Sequence, residues 1–140
     1  MTTILCIDDD PKMLQAHEAI LGTKGYTVLT ALDGLAGIAV TRTYTIDIVV
    51  TDFHMPPGMD GIEVAELLLK EKPTLPVVIY SGCPDDIPKR LKCYVLSKGD
   101  GPNNLLSIVG ELVALKALQQ PAKKRCTQKK SAGTWRRKAS

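Results

Sequence analysis

Several things are missing from this sequence, and each absence excludes a class of protein. No apolar run approaches the roughly 18 residues that a membrane span needs. The opening Met1-Thr2-Thr3 runs into a strand-like segment without a basic region or cleavage site, so no secretory signal is expected. The four cysteines, Cys6, Cys83, Cys93 and Cys126, show neither CxxC nor Cys/His ligand spacing. That argues against a structural zinc site and a disulfide framework, and a cytoplasmic protein with reduced thiols is the expectation. Acidic residues are missing from the end of the chain. Residues 119–140 hold eight Lys/Arg and no Asp/Glu, a formal +8, whereas residues 1–118 hold ten against fifteen, a formal −5.

What remains is a chain of 140 residues, 44% hydrophobic, which suits one soluble globular domain. Five short apolar runs recur: Thr3–Ile7, Thr27–Ala31, Asp47–Thr51, Pro76–Ser81 and Cys93–Ser97. Three of them contain unbroken apolar stretches (ILCI, IVV, VVIY), as strands buried on both faces of a parallel sheet require. Between them lie helical stripes. Met13, Leu14, His17, Ile20 and Leu21 form the first, a helix over 33–42 the second, and Ile62, Ala65, Leu68 and Leu69 the third. The last stripe is Leu105, Leu106, Val109, Leu112 and Val113. Asp85–Leu91 is a short segment whose Pro88 suits a first turn better than a helix interior. The pattern is βα five times over, an α/β doubly wound sheet with helices on both faces.

The polar residues gather at one end of these strands. Asp8 and Asp9 follow the first, Asp52 follows the third, Ser81 ends the fourth and Lys98 follows the fifth. In a parallel sheet these positions share the carboxyl edge, where ligands bind at the crevice of reversed strand order. Three converging carboxylates repel one another unless a cation sits among them. Mg²⁺ suits that place, because it takes oxygen ligands and keeps several waters. The set then reads as a carboxylate nucleophile, a metal that neutralises phosphoryl oxygens, and a lysine and hydroxyl that hold them. Asp10 reads as a helix cap before Pro11, His17 as a core-rim histidine, and the His54 side chain as an exposed modulator of water access.

At this point the chain resembles a response-regulator receiver domain over residues 2–118. The stretches that carry the resemblance are ILCIDDDP (4–11), GY (25–26), DIVVTDFHMPPGMDG (47–61), VVIYSG (77–82) and LSK (96–98). The resemblance implies a flavodoxin-like fold, a five-stranded parallel sheet in the order 2-1-3-4-5. It implies that Asp52 takes the phosphoryl group and that Asp8 and Asp9 hold Mg²⁺ together with Asp52 and the His54 backbone carbonyl. Ser81 matches the switch hydroxyl and Lys98 the lysine of the motif. The donor would be a sensor histidine kinase or a histidine phosphotransfer protein, and an unidentified downstream protein would read the result. The chain would catalyse only its own phosphorylation and dephosphorylation.

Three positions depart from the family's pattern. Gly99 follows Lys98 where proline is usual, so a trans peptide is expected there. Val95 stands where an aromatic switch residue is expected, with Tyr94 on the opposite strand face. The Pro56-Pro57-Gly58 loop is one residue longer than the commonest form. Two other readings compete. Asp8-x-Asp10 is also similar to the motif of haloacid-dehalogenase-like phosphatases, although Lys12 stands where that motif prefers Thr or Val and no cap domain is present. The second is a receiver-like docking module that is never phosphorylated. Residues 1–118 are expected to form the domain, and 119–140 a basic, disordered tail carrying Trp135 and offering weak contact to a polyanion. No output domain is expected, which makes the chain a single-domain switch.

Overall fold

The computed structural model describes residues 2–119. The basic tail, with Cys126 and Trp135, lies outside the described residues from 120 onward. Five strands form one parallel sheet: β1 (Thr3–Ile7), β2 (Thr27–Ala31), β3 (Ile48–Asp52), β4 (Val77–Ser81) and β5 (Tyr94–Ser97). Their order is β2-β1-β3-β4-β5, as the resemblance implies. Four α-helices connect and follow them: α1 (Pro11–Gly22), α2 (Gly34–Thr43), α3 (Gly61–Glu71) and α4 (Pro102–Gln119).

The expectation of five βα units is corrected at one place. Between β4 and β5 there is no α-helix, only the 3-10 turn Pro84–Asp86. Two prolines, Pro84 and Pro88, explain it: each lacks an N–H, and the residue before each is pushed out of the helical region. The third strand also begins one residue later than the apolar run suggested. Asp47 precedes it and its carboxylate accepts from the Thr3 N–H at 2.8 Å. Asp52 is accordingly the last residue of β3 rather than the first of the loop.

β3 and β4 are buried at every position, while the edge strands β2 and β5 are only partly covered. Strand alternation divides the core. Leu5, Ile7, Val49, Val77 and Ile79 pack with Ile38 of α2 and with Val64, Ala65 and Leu68 of α3. The opposite face carries Cys6, Val50, Val78 and Tyr80, where His17 of α1 meets the Tyr80 ring. Each fully buried aliphatic side chain contributes roughly 1.5–3 kcal/mol. Val64, absent from the stripe read in the sequence, is fully buried, whereas Ile62 and Leu69 are only half-buried. Burial pushes the Cys6 thiol up to about 12, with the charges of Glu18 and Asp8 adding to it, so it stays protonated and packs as a small hydrophobe.

Aspartates start α1, α2 and α3. Asp10 caps α1 by accepting from the Lys12 N–H at 3.0 Å, and Asp33 caps α2 by accepting from the Ala36 N–H at 2.8 Å. Asp60 and Glu63 form a reciprocal capping box on α3. Residues up to Val109 make one compact unit containing every strand, and α4 continues from it into a second that begins at Gly110. Leu105, Val109 and Leu112 of α4 are buried, as its apolar stripe predicts.

Candidate functional site

The carboxyl edge of the sheet assembles the site. β1 extends by one hydrogen bond, Asp8 N–H to the Ala31 carbonyl at 3.1 Å, which fixes the backbone at the first acid. Asp8, Asp9 and Asp52 each offer a carboxylate oxygen, and these oxygens lie within 4.8 Å of one another. Asp8 is 2% exposed and Asp52 5%, whereas Asp9 faces solvent. The Asp8 carboxylate is divided in use. Its Oδ1 accepts from the Asp10 N–H at 2.9 Å, and its buried Oδ2 has no hydrogen-bond partner.

Lys98 opens the 3-10 turn after β5 and reaches back so that Nζ stands 2.5 Å from Asp52 Oδ1. The contact is a close ion pair that sets the ammonium against the buried carboxylate. Burial alone would lower the lysine's pKa, but the Asp52 carboxylate outweighs it and holds Lys98 above its ordinary value. The Asp8 carboxyl is pushed up to about 6, chiefly by burial. The Asp10 N–H opposes that rise, the charge of Asp52 adds to it, Lys98 opposes, and Asp9 adds a little more. Burial and the Lys98 charge together hold the His17 imidazole below its usual range, so at neutral pH it is uncharged.

Three clustered carboxylates against one ammonium leave the site short of positive charge, and a buried carboxylate oxygen lacks a partner. Both observations fit a hard divalent cation of the Mg²⁺ kind, which takes carboxylate oxygens and retains waters. Asp8, Asp9 and Asp52 are the side chains that would hold it. His54 lies exposed in the loop two residues after Asp52.

Two of the residues singled out in the sequence are hydrogen-bonded to nearby backbone. Ser81 is buried at the end of β4, and its hydroxyl accepts from the Cys83 N–H at 2.9 Å. The sheet register pairs Ser81 with Ser97, and Asp52 with Tyr80. Asp10 is exposed and serves as a cap, so the paired acids of the phosphatase-like motif are not both in the site. Among the described residues the cis peptide is Pro56-Pro57, and Lys98-Gly99 is trans, as expected.

Two residues escaped the sequence reading. Gly61 donates from its N–H to the Phe53 carbonyl at 2.7 Å, and a Cβ there would meet the backbone of Asp52 and Phe53. Tyr80 lies under Lys98, with its ring centroid 5.9 Å from Nζ. The signal for Tyr80 was present: it pairs with Asp52 once the VVIY run is set in register against IVVTD.

Comparison with known proteins agrees with this geometry. A family model described as the response regulator receiver domain matches residues 4–100. The chain is 32% identical over 116 residues to the probable transcriptional regulatory protein TcrX of Mycobacterium tuberculosis, covering 83% of this chain and 49% of that protein. It is 35% identical over 78 residues to the transcriptional regulatory protein GlrR of Escherichia coli, covering 56% of this chain and 17% of that one. Among solved structures, a response regulator receiver domain protein from Clostridium thermocellum superposes with a TM-score of 0.76 at 28% identity, over 86% of this chain and 100% of that one. The response regulator TrrA from Thermotoga maritima, solved in complex with Mg²⁺-BeF, gives a TM-score of 0.71 at 26% identity, over 80% and 99%. The chain thus belongs to the response regulator receiver domain family of two-component signalling. It spans about half or less of the length of these two curated relatives. Among the described residues no helix is long and apolar enough to cross a membrane.

Proposed function

We propose that this domain is a Mg²⁺-dependent phosphoacceptor and that Asp52 receives the phosphoryl group from a phosphohistidine of a sensor histidine kinase or histidine phosphotransfer protein. The carrying observation is a single one: a buried carboxylate ends a central strand with an ammonium 2.5 Å away and two further carboxylates beside it. In the transfer an Asp52 carboxylate oxygen attacks phosphorus, and the N–P bond of the phosphohistidine breaks. The imidazole departs with the bonding pair and takes a proton from solvent. Mg²⁺, when held by Asp8, Asp9, Asp52 and the His54 carbonyl, supplies neutralisation of the phosphoryl oxygens. Lys98 holds the acceptor carboxylate before transfer and is within reach of a phosphoryl oxygen afterwards.

On this reading the domain catalyses its own phosphorylation and the later hydrolysis and acts as a switch in the cytoplasm. Ser81 takes part once its hydroxyl leaves the Cys83 N–H and turns toward the phosphoryl group. A downstream protein reads the change, and the basic tail adds a weak, salt-sensitive contact to a polyanion. Incubation with phosphoramidate or acetyl phosphate and Mg²⁺ should add one hydroxylamine-sensitive phosphoryl group on Asp52. Mass spectrometry that places the group elsewhere, or undiminished labelling of Asp52→Asn, overturns the assignment.

A further inference from the structure

Lys98 reaches Asp52 from a loop with little to hold it. The lysine opens a three-residue turn, Gly99 follows, and Gly101 closes the turn at φ 84°. Glycines lose more conformational freedom on ordering than other residues, so this backbone is a poor anchor. Among the described side chains of this segment, Ser97 supports the turn: its hydroxyl accepts from the Gly99 N–H at 3.2 Å. A lysine is a point charge on a flexible four-carbon stem, and aiming it needs contacts along the way.

Tyr80 supplies them. In the sheet it is the partner of Asp52 across β3–β4 and of Leu96 across β4–β5, two residues before Lys98. The two-residue period of the strands puts Asp52 and Tyr80 side by side on one face. Nζ lies 5.9 Å from the ring centroid, within the range at which a cation is attracted to an aromatic face. The ring itself is buried and is braced by His17 of α1, edge to face, at a centroid distance of 5.3 Å and an angle of 69°.

We infer that Tyr80 is the positioning residue for Lys98: its ring, braced by His17, seats the ammonium beside Asp52. The inference rests on Asp52 as the phosphoacceptor and adds what aims the lysine at it. A ring suits the task better than a carboxylate would. It attracts the ammonium without neutralising it and adds no fourth acid to a site already crowded with three, so the lysine's charge remains available to Asp52 and to an incoming phosphoryl group.

The test is a double-mutant cycle on the full chain. At saturating Mg²⁺, Tyr80→Leu should lower the rate of phosphorylation by phosphoramidate about three- to tenfold, the range expected for loss of a cation–ring contact. Tyr80→Phe, which keeps the ring, should restore most of that rate. In a Lys98→Met background Tyr80→Leu should cost nothing further. NMR gives an independent reading: the Lys98 ε-methylene protons should show a ring-current displacement in the wild type and in Tyr80→Phe. Equal slowing by Phe and Leu overturns the inference in favour of the hydroxyl, and the same loss with Lys98 absent overturns it in favour of a packing role. A Lys98 ε-methylene without displacement in the wild type overturns it directly, even where Tyr80→Leu does not fold. Failure of the phosphoacceptor reading is distinguishable, because it shows as label surviving Asp52→Asn while the displacement at Lys98 is unaffected.

Discussion

Gly61 backs directly onto Asp52: a Cβ at residue 61 would stand 2.6 Å from the Asp52 carbonyl oxygen and 2.9 Å from the Phe53 Cα. Neither neighbour is a flexible side-chain tip, so the clash cannot be relieved by a rotamer change. Gly61→Ala should push α3 away from the end of β3 and cost about 1–3 kcal/mol by overpacking. The same shift should move Asp52 and slow its phosphorylation. Denaturant melts and acetyl-phosphate labelling check both. An alanine variant with unchanged stability and rate would show that the contact does not position the acceptor.

Metal binding should oppose protons at Asp8. Its folded pKa lies above the ordinary carboxylate value of 3.8, at about 6. Raised in the folded state, the group contributes stability that is fully present below pH 3.8 and lost as pH rises through about 6. Mg²⁺ requires the ionised carboxylate, so its affinity should climb across that window and level off above it. Titrations of Mg²⁺-induced fluorescence or thermal shift between pH 5 and pH 8 measure this, and a pH-independent affinity would refute it.

Removing the buried charge should stabilise the metal-free domain. Asp8→Asn can keep the bond to the Asp10 N–H while losing the charge. It should raise the melting temperature at pH 8 by an amount equivalent to about 1–3 kcal/mol, with little change at pH 4. The further rise produced by Mg²⁺ in the wild type should be lost. Asp9→Ala, at an exposed position, should blunt the Mg²⁺ shift with a smaller effect on the metal-free protein. An equal Mg²⁺ response in wild type and both variants would exclude these acids as the metal site.

The core prediction is simpler. Leu68 is fully buried in the cluster that joins α3 to the sheet. Leu68→Ala should cost about 2–5 kcal/mol, against well under 1 kcal/mol for Leu35→Ala at an exposed position of α2. Urea melts of the two variants give the comparison.

Activation should be felt in two loops. Val95 has no ring and is exposed, and Ser81 is tied to the Cys83 N–H. Beryllofluoride, a mimic of the phosphoryl group, should alter hydrogen exchange mainly at 82–90 and 98–103. Exchange changes confined to other segments would count against this route.

Much of this architecture could be read from the chain because it depends on period and position. Unbroken apolar runs gave the buried strands, and acids at their ends gave the site edge. Asp10, Asp33 and Asp60 carry local capping signals that a sequence displays directly. The failures were of another kind. Pro88 reads as the first turn of a fourth helix, whereas together with Pro84 it leaves only the 3-10 turn at Pro84–Asp86. Strand register decided that Asp52 belongs to β3 and that Tyr80, not Ser81, is its partner. Gly61 reads as an ordinary residue after a cap until α3 is laid against the end of β3.

The split use of Asp8 has a mechanical consequence. One oxygen tethers the Asp10 N–H at the threshold of α1, and the other is buried without a hydrogen-bond partner. An ion that pulls on one side of this carboxylate therefore tugs the first turn of a helix through the other. Loading of the site becomes legible at a distance, as strain or relief at the amino end of α1, where amide shifts of Asp10 and Lys12 would register it before any phosphoryl group arrives.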